Sequence, residues 1–510
     1  MSGTLRDALA GHLARQPDRT FLIAPETGRK LSYRELEYQS RLLARWLRAA
    51  GLQPGDKVGL YLHNGYQTAA LYVGAMLGGY VITPLNLLSQ RSQLAYVIAH
   101  CDCRIVFTAR EYEEPLAAAL AEVKRTVEVV VIDPDAPELF LEERLPPEVP
   151  ARVRPSDPAL LMYTSGTTGT PKGAVLTHAN LFAAASTVAG WHGLTPRDRC
   201  LSSLPLYHIN GQVIATLAPF ISGGSLIAPH RFSVSGWWEA AEKYAATWIN
   251  LVPTIIAYLL NAAEPGREYR FPGIRFGRCA TAPLPPEQHR AFEQVFGVPV
   301  IEAMGMTETS SVVFANPQDA SKRKYGSPGI PCGVEVRVSD PKSGRVLAAG
   351  EAGEICLRGP IVMSAYYKSP EQTAGAFDAE GWLRTGDLGY HDADGYYFIT
   401  GRLKELIIKG GENIAPREID EALLKHAAVL EAAAVGIPDR DYGQEILACV
   451  VLKPGAVCTE EELRAHCLRE LGRYKTPKEF RFIAELPKGP SGKVQRLKLA
   501  AIPDPAPGAP

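Results

Sequence analysis

Through most of its first 400 residues the sequence alternates segments of helical periodicity with short apolar runs of strand length, as where Leu36 to Ala50 is followed by Lys57 to Tyr61. Few folds are open to a chain written this way. Apolar strands separated by helices pair into largely parallel sheets with helices layered on their faces. The texture changes between Val334 and Tyr397, where short strands are punctuated by turns at Ser343-Gly344, Ala349-Gly350 and Asp394-Gly395. That pattern predicts an antiparallel or barrel-like subdomain. A turn-rich stretch at Gly401 to Lys404 then leads into a shorter α/β unit. It has a helix over Pro416 to His426, strands at Ala432 to Val435 and Leu447 to Leu452, and a helix from Glu460 to Leu471. At 510 residues the chain exceeds what one compact core accommodates, so two or more domains are expected.

Composition excludes several classes of function. The 54 basic and 55 acidic residues balance, and neither sign forms a long run, so nothing suggests a nucleic-acid or polyanionic partner. Nine cysteines, an odd number spread over a long chain, point to reduced thiols in a cytoplasmic enzyme. The tightest cluster, His100-Cys101-Asp102-Cys103, lacks a second pair of ligands and reads as the turn before the buried strand Ile105-Val106-Phe107. Met1 to Phe21 is charged throughout and shows no secretory signal core. Thr68 to Leu88 and Gly211 to Pro229 approach the length of a membrane span, but glycine pairs and prolines interrupt them. Each is expected to be a buried helix running into a buried strand, in a soluble protein.

Residues 163 to 173 read Tyr-Thr-Ser-Gly-Thr-Thr-Gly-Thr-Pro-Lys-Gly, held between the apolar runs Ala159 to Tyr163 and Ala174 to Thr177. Glycines for unusual backbone angles, hydroxyls for hydrogen bonds and one lysine for charge make a loop suited to wrapping a polyphosphate. It is not a P-loop: Lys172 follows Pro171 and precedes Gly173, so both the Gly-Lys step and the magnesium-binding hydroxyl are missing. The loop instead resembles the phosphate loop of the adenylate-forming enzymes, which include acyl-CoA synthetases, peptide-synthetase adenylation domains and firefly luciferase.

That resemblance implies a layered α/β N-terminal domain with a barrel-like β subdomain over 1–402, a small mobile α+β C-terminal domain over 403–500 and a hinge near Lys404, while the Pro, Ala and Gly composition of 501–510 predicts a disordered tail. It also assigns roles. Thr164, Ser165, Gly166, Thr167, Thr168, Gly169 and Lys172 would hold the β and γ phosphates of ATP. Glu302 to Thr309 resembles the second signature, with Thr307 on the α-phosphate and Glu308 on Mg2+. Relatives often stack an aromatic residue on adenine just before Gly305, where this chain has Met304. Asp387 and Arg402 would bind the ribose. Leu486 to Arg496 matches the C-terminal signature and makes Lys493 the residue that reaches the forming acyl phosphate. Rotation of the small domain would then present Gly410-Gly411 for thiol attack, with Tyr442 and Tyr474 around the adenine and phosphate of coenzyme A.

Pro205 to Gly211 resembles the Pro-x-x-His-x-x-Gly segment of acid:CoA ligases and puts His208 at the mouth of the acyl pocket. Gln212, Thr281-Ala282-Pro283-Leu284 and Gly305 to Val313 would line it. Amino-acid-activating relatives place an aspartate in this region, and none lies between Arg199 and Ser222. These segments carry no fixed cation, which favours a monocarboxylic aliphatic or aryl acid, although Pro205 to Gly211 and Glu302 to Thr309 also resemble oxalate:CoA and carnitine-type ligases and keep a small polar acid open. The expected function is an ATP-dependent, AMP-forming carboxylic acid:CoA ligase using ATP, Mg2+ and coenzyme A, working as a monomer or homodimer. A carrier-protein thiol as acceptor, or a degenerate nucleotide-binding scaffold, are the alternatives.

Overall fold

The computed structural model of the protein describes residues 3–138, 145, 152–164, 170–488 and 494–502. Its chain divides into two compact units, one of residues 1–336 and 357–383 and the other of residues 337–356 and 384–510.

The first unit contains a nine-stranded and a seven-stranded sheet among the described residues. The strands Arg199–Leu201, Trp248–Leu251, Phe276–Cys279 and Val300–Met304 run parallel at the centre of the larger sheet. One of its faces buries Ile249, Leu251, Cys279 and Val300 against Trp237, Ile256, Phe292 and Phe296, which come from the helices Val234–Lys243, Pro253–Asn261 and Pro286–Phe296. The opposite face carries Trp248, Asn250, Phe276 and Arg278, because side chains alternate along a strand and register partners point the same way. His192, at the end of the helix His178–Trp191, packs on Phe276 there with ring centroids 5.0 Å apart.

In the smaller sheet Lys57–Tyr61, Val81–Pro84, Ile105–Ala109 and Glu128–Ile132 run parallel. The apolar runs flanking the glycine-rich loop are the strands Pro158–Thr164 and Lys172–Thr177, paired antiparallel with Thr164 opposite Lys172. The strands on either side of the loop are therefore antiparallel neighbours. Ala365–Tyr366 closes the outer edge of its returning strand.

Both long uncharged stretches are buried helices running into buried strands. The first is Tyr66–Leu77 followed by Val81–Pro84. The second departs from a regular α-helix: Asn210–Leu217 is a π-helix, in which Ala218 N–H reaches back five residues to the Val213 carbonyl, before Ala218–Ser222 and the strand Ser225–Ile227. No described helix is long and apolar enough to cross a membrane. The helix Arg91–Cys101 ends at Asp102, whose φ of 58° turns the chain into Ile105–Ala109, as the His-Cys-Asp-Cys cluster predicts. All nine cysteines are buried.

The second unit holds a four-stranded sheet that includes the antiparallel pair Leu383–His391 and Tyr397–Arg402. It also contains a two-stranded hairpin and a three-stranded sheet. The expected strands at Ala432 and Leu447 are longer, at Val429–Asp439 and Gly443–Leu452. The helix expected to Leu471 runs over Glu460–Lys475 with a break at Gly472, whose φ is 73°.

Candidate active site

The hairpin and the Gly-Met-Thr-Glu turn are widely separated in sequence and meet in the first unit. The strand Val300–Met304 ends at Gly305, where a Cβ would lie 1.9 Å from the Ser311 carbonyl oxygen, so no larger residue fits. The chain then makes a single 3-10 turn over Thr307–Thr309 and continues through Ser310 and Ser311, both at positive φ (52° and 82°). That tight path aims the buried Glu308 at the hairpin. Tyr366 Oη donates to Glu308 Oε1 at 2.9 Å, and Lys172 Nζ sits 5.1 Å from the centre of the Tyr366 ring. Tyr366 thus joins the lysine of one motif to the carboxylate of the other, and nothing in either motif marked it. Burial, followed by the charge of Glu308 and its hydrogen bond, pushes the Tyr366 phenol far up, so it stays a donor. Glu308 makes no ion pair among the described residues, which leaves an anionic oxygen donor of the kind Mg2+ prefers.

Thr281 follows the strand Phe276–Cys279 with a φ of 84°, an outlier for a β-branched residue of the type that clusters at ligand sites. Its hydroxyl oxygen accepts from Asn210 Nδ2 at 3.1 Å, and Asn210 Oδ1 accepts from the buried Asn250 Nδ2 at 3.1 Å. A chain of amides therefore ties the π-helix to the polar sheet face and holds the strained Thr281, which is exposed along with Ala282 and Pro283. His208 is half-buried two residues ahead of Asn210, its ring edge-on to Tyr207 at 4.8 Å. Gln212, expected at the acyl pocket, is fully buried and spends its amide on the Leu206 carbonyl at 2.7 Å. Met304 is paired with Phe314 at the strand end.

In the second unit Asp387 and Arg402 are register partners, with Arg402 Nε 2.9 Å from Asp387 Oδ1. Lys404 is exposed in the short 3-10 turn Leu403–Glu405. Gly410 and Gly411 form the two-residue tip of the hairpin Ile407–Lys409 and Glu412–Ile414. Their φ values of 54° and 86° suit a type I′ turn, which explains two adjacent glycines there. Tyr442 and Tyr474 flank this hairpin: Gly410 N–H donates to the Tyr442 carbonyl at 2.8 Å and Tyr474 Oη donates to the Lys409 carbonyl. Sequence reasoning passed over Lys409, whose buried Nζ ion-pairs with Glu445 at 2.9 Å and donates to the Tyr474 carbonyl at 3.0 Å. Ser165, Gly166, Thr167, Thr168, Gly169 and Lys493 lie outside the described residues.

A family model described as AMP-binding enzyme matches residues 9–367, and one described as AMP-binding enzyme C-terminal domain matches residues 418–493. A sulfoacetate–CoA ligase of Cupriavidus necator is 54% identical over 97% of each chain. An oxalate–CoA ligase of Arabidopsis thaliana is 33% identical over 98% of each chain. Among solved structures, ATP-bound MatB from Rhodopseudomonas palustris superposes with a TM-score of 0.88 at 32% identity, covering 98% of this chain and 99% of that one. The o-succinylbenzoate coenzyme A synthetase of Bacillus subtilis, in complex with ATP and magnesium ion, gives 0.86 at 30% identity, covering 96% and 98%.

Proposed function

The chain belongs to the AMP-binding enzyme family and is an ATP-dependent, AMP-forming acid:CoA ligase, and on that premise we propose how its residues divide the reaction. The observation that carries the reading is the Lys172, Tyr366 and Glu308 cluster, in which one tyrosine meets the lysine of the first motif with its ring and the carboxylate of the second with its hydroxyl. Adenylation requires the acid's carboxylate to attack the α-phosphorus of ATP while pyrophosphate leaves, so charge must be balanced at both ends of the transferred group. Thr164 to Gly169 and Lys172 hold the departing phosphates, and Thr307 donates to the α-phosphate. Glu308, with Tyr366 fixing one of its oxygens, would hold Mg2+. When bound, the metal neutralises phosphate charge.

Asp387 and Arg402 bind the ribose. Met304 and the exposed Thr281-Ala282-Pro283 edge form the floor under the adenine and the acid, with His208 at the pocket mouth. Lys493 bridges the acid and the α-phosphate during adenylation. For the second step the small domain turns about Lys404, and the Gly410-Gly411 tip, between Tyr442 and Tyr474, admits the pantetheine thiol of coenzyme A to the acyl carbon as AMP leaves. Coenzyme A is favoured over a carrier-protein thiol because the full-length relatives are CoA ligases. The acid is small, and sulfoacetate and oxalate are the first to test.

Lys493→Ala abolishes acid-dependent pyrophosphate exchange and leaves thioester formation from supplied acyl-AMP intact. Equal loss of both half-reactions rejects the rotation. Pyrophosphate release over a panel of acids, with and without coenzyme A, tests the ligase reading itself. Turnover indifferent to coenzyme A rejects that acceptor.

A further inference from the structure

Arg278 is 1% exposed in the first unit, and none of its three guanidinium nitrogens has a hydrogen-bond partner among the described residues. Burial presses its pKa down to about 10, so it remains a cation at neutral pH. The groups that feel its charge are the buried thiols of Cys332, Cys279 and Cys200 and the imidazole of His192. No carboxylate is among them. A buried, unpaired cation is costly, and proteins hold one only where a partner arrives.

The position of Arg278 says which partner. It is the register neighbour of Asn250, whose amide bonds Asn210 and through it Thr281, and it leaves the same face of the sheet. Cys332, whose thiol feels the guanidinium, is bonded through its backbone N–H to the carbonyl of Val313, at the end of the segment expected to line the acid pocket. The cation therefore stands behind the strained Thr281 edge, three residues along the chain, on the side where the π-helix lies. We infer that Arg278 anchors a second anionic group at the far end of the acid, so that the substrate class is short acids bearing a sulfonate or a second carboxylate in addition to the carboxylate that is activated. This rests on the ligase reading above and replaces the monocarboxylic expectation. The pocket segments taken from sequence stopped at Thr281 and so left out the arginine just upstream.

The test compares the sulfonated acid proposed above with methylsulfonylacetate, which keeps the carboxylate but replaces the sulfonate by a neutral sulfone, in the full-length enzyme and in Arg278→Met and Arg278→Lys. In the wild type the charged acid has the higher kcat/KM. Arg278→Met lowers the ratio of the two kcat/KM values about 100-fold, the scale of an unpaired buried charge contact. Arg278→Lys falls between them. Without acid, Arg278→Met melts at or above the wild-type temperature, because no native ion pair is broken. The charged acid raises the wild-type melting temperature without ATP, and that rise vanishes in Arg278→Met. An unchanged ratio overturns the inference, as does equal loss on both acids with a lowered melting temperature. Failure of the wild type to release pyrophosphate from any acid overturns the ligase reading instead, while the melting shift still reads Arg278.

Discussion

The parallel strands Trp248–Leu251 and Phe276–Cys279 have two unlike faces. One presents Ile249, Leu251 and Cys279 to three helices in a dry apolar cluster. The other presents Asn250 and Arg278, an amide whose nitrogen alone is bonded and an unsatisfied cation, towards the π-helix and the helix His178–Trp191. The same backbone thus separates two tasks by the parity of residue number. Apolar side chains on one face stabilise the sheet in proportion to the area they bury. Polar side chains on the other are held where ligands arrive, at some cost to stability.

The division can be broken by experiment. If chemistry belongs to the polar side and the strand ends, Glu308→Gln lowers the rate of acid-dependent pyrophosphate release by about 10²–10³-fold, the scale of losing one preorganised electrostatic group. Its melting temperature stays near the wild-type value. The mirror-image change, Leu251→Ala, costs roughly 2–5 kcal/mol in urea unfolding. Its kcat per folded molecule is unaltered, and a large loss of kcat there would erase the distinction between the faces.

Asn250→Ala probes the boundary. Removing the amide leaves Asn210 Oδ1 without that donor and costs about 1–3 kcal/mol. It also releases Thr281, so KM for the acid rises, read by steady-state kinetics.

The effect confined to acid conditions is on pH-dependent stability. His178 is buried at the start of the helix over the polar face, and burial lowers its pKa from 6.5 to about 4. The folded state keeps the ring neutral while the unfolded chain takes up a proton. Stability is therefore intact above pH 6.5 and declines as pH falls from 6.5 towards 4, by roughly 2–3 kcal/mol in all. His178→Met flattens that part of the melting-temperature profile.

How much of this was legible in the sequence follows from the same contrast. Elements with strong periodicity, such as Tyr33–Ala49 and Lys57–Tyr61, emerge within a few residues of their expected ends because local pattern and burial agree. Motif order carried the family, and local chemistry carried the double-glycine turn. What the sequence concealed depends on contacts between distant segments. Tyr366 acts at Glu308 only because Ala365–Tyr366 pairs with the edge strand beside the loop. Lys409 is a core ion-pair partner because the strand Gly443–Leu452 brings Glu445 to it. Arg278 reads as an ordinary surface arginine near the end of a short strand, and only tertiary burial reveals that it lacks a partner.

The π-helix Asn210–Leu217 has a consequence for how this site varies between relatives. A wide turn holds one residue more than an α-helix covering the same rise. Deleting a single residue there would restore the regular ladder and swing everything before it by about 100° around the axis. Asn210 would then leave Thr281, with no residue in the pocket exchanged for another. Acid preference at this site is therefore open to change by insertion and deletion as well as by substitution. A gap in an alignment near Val213 carries as much functional information as a replaced side chain.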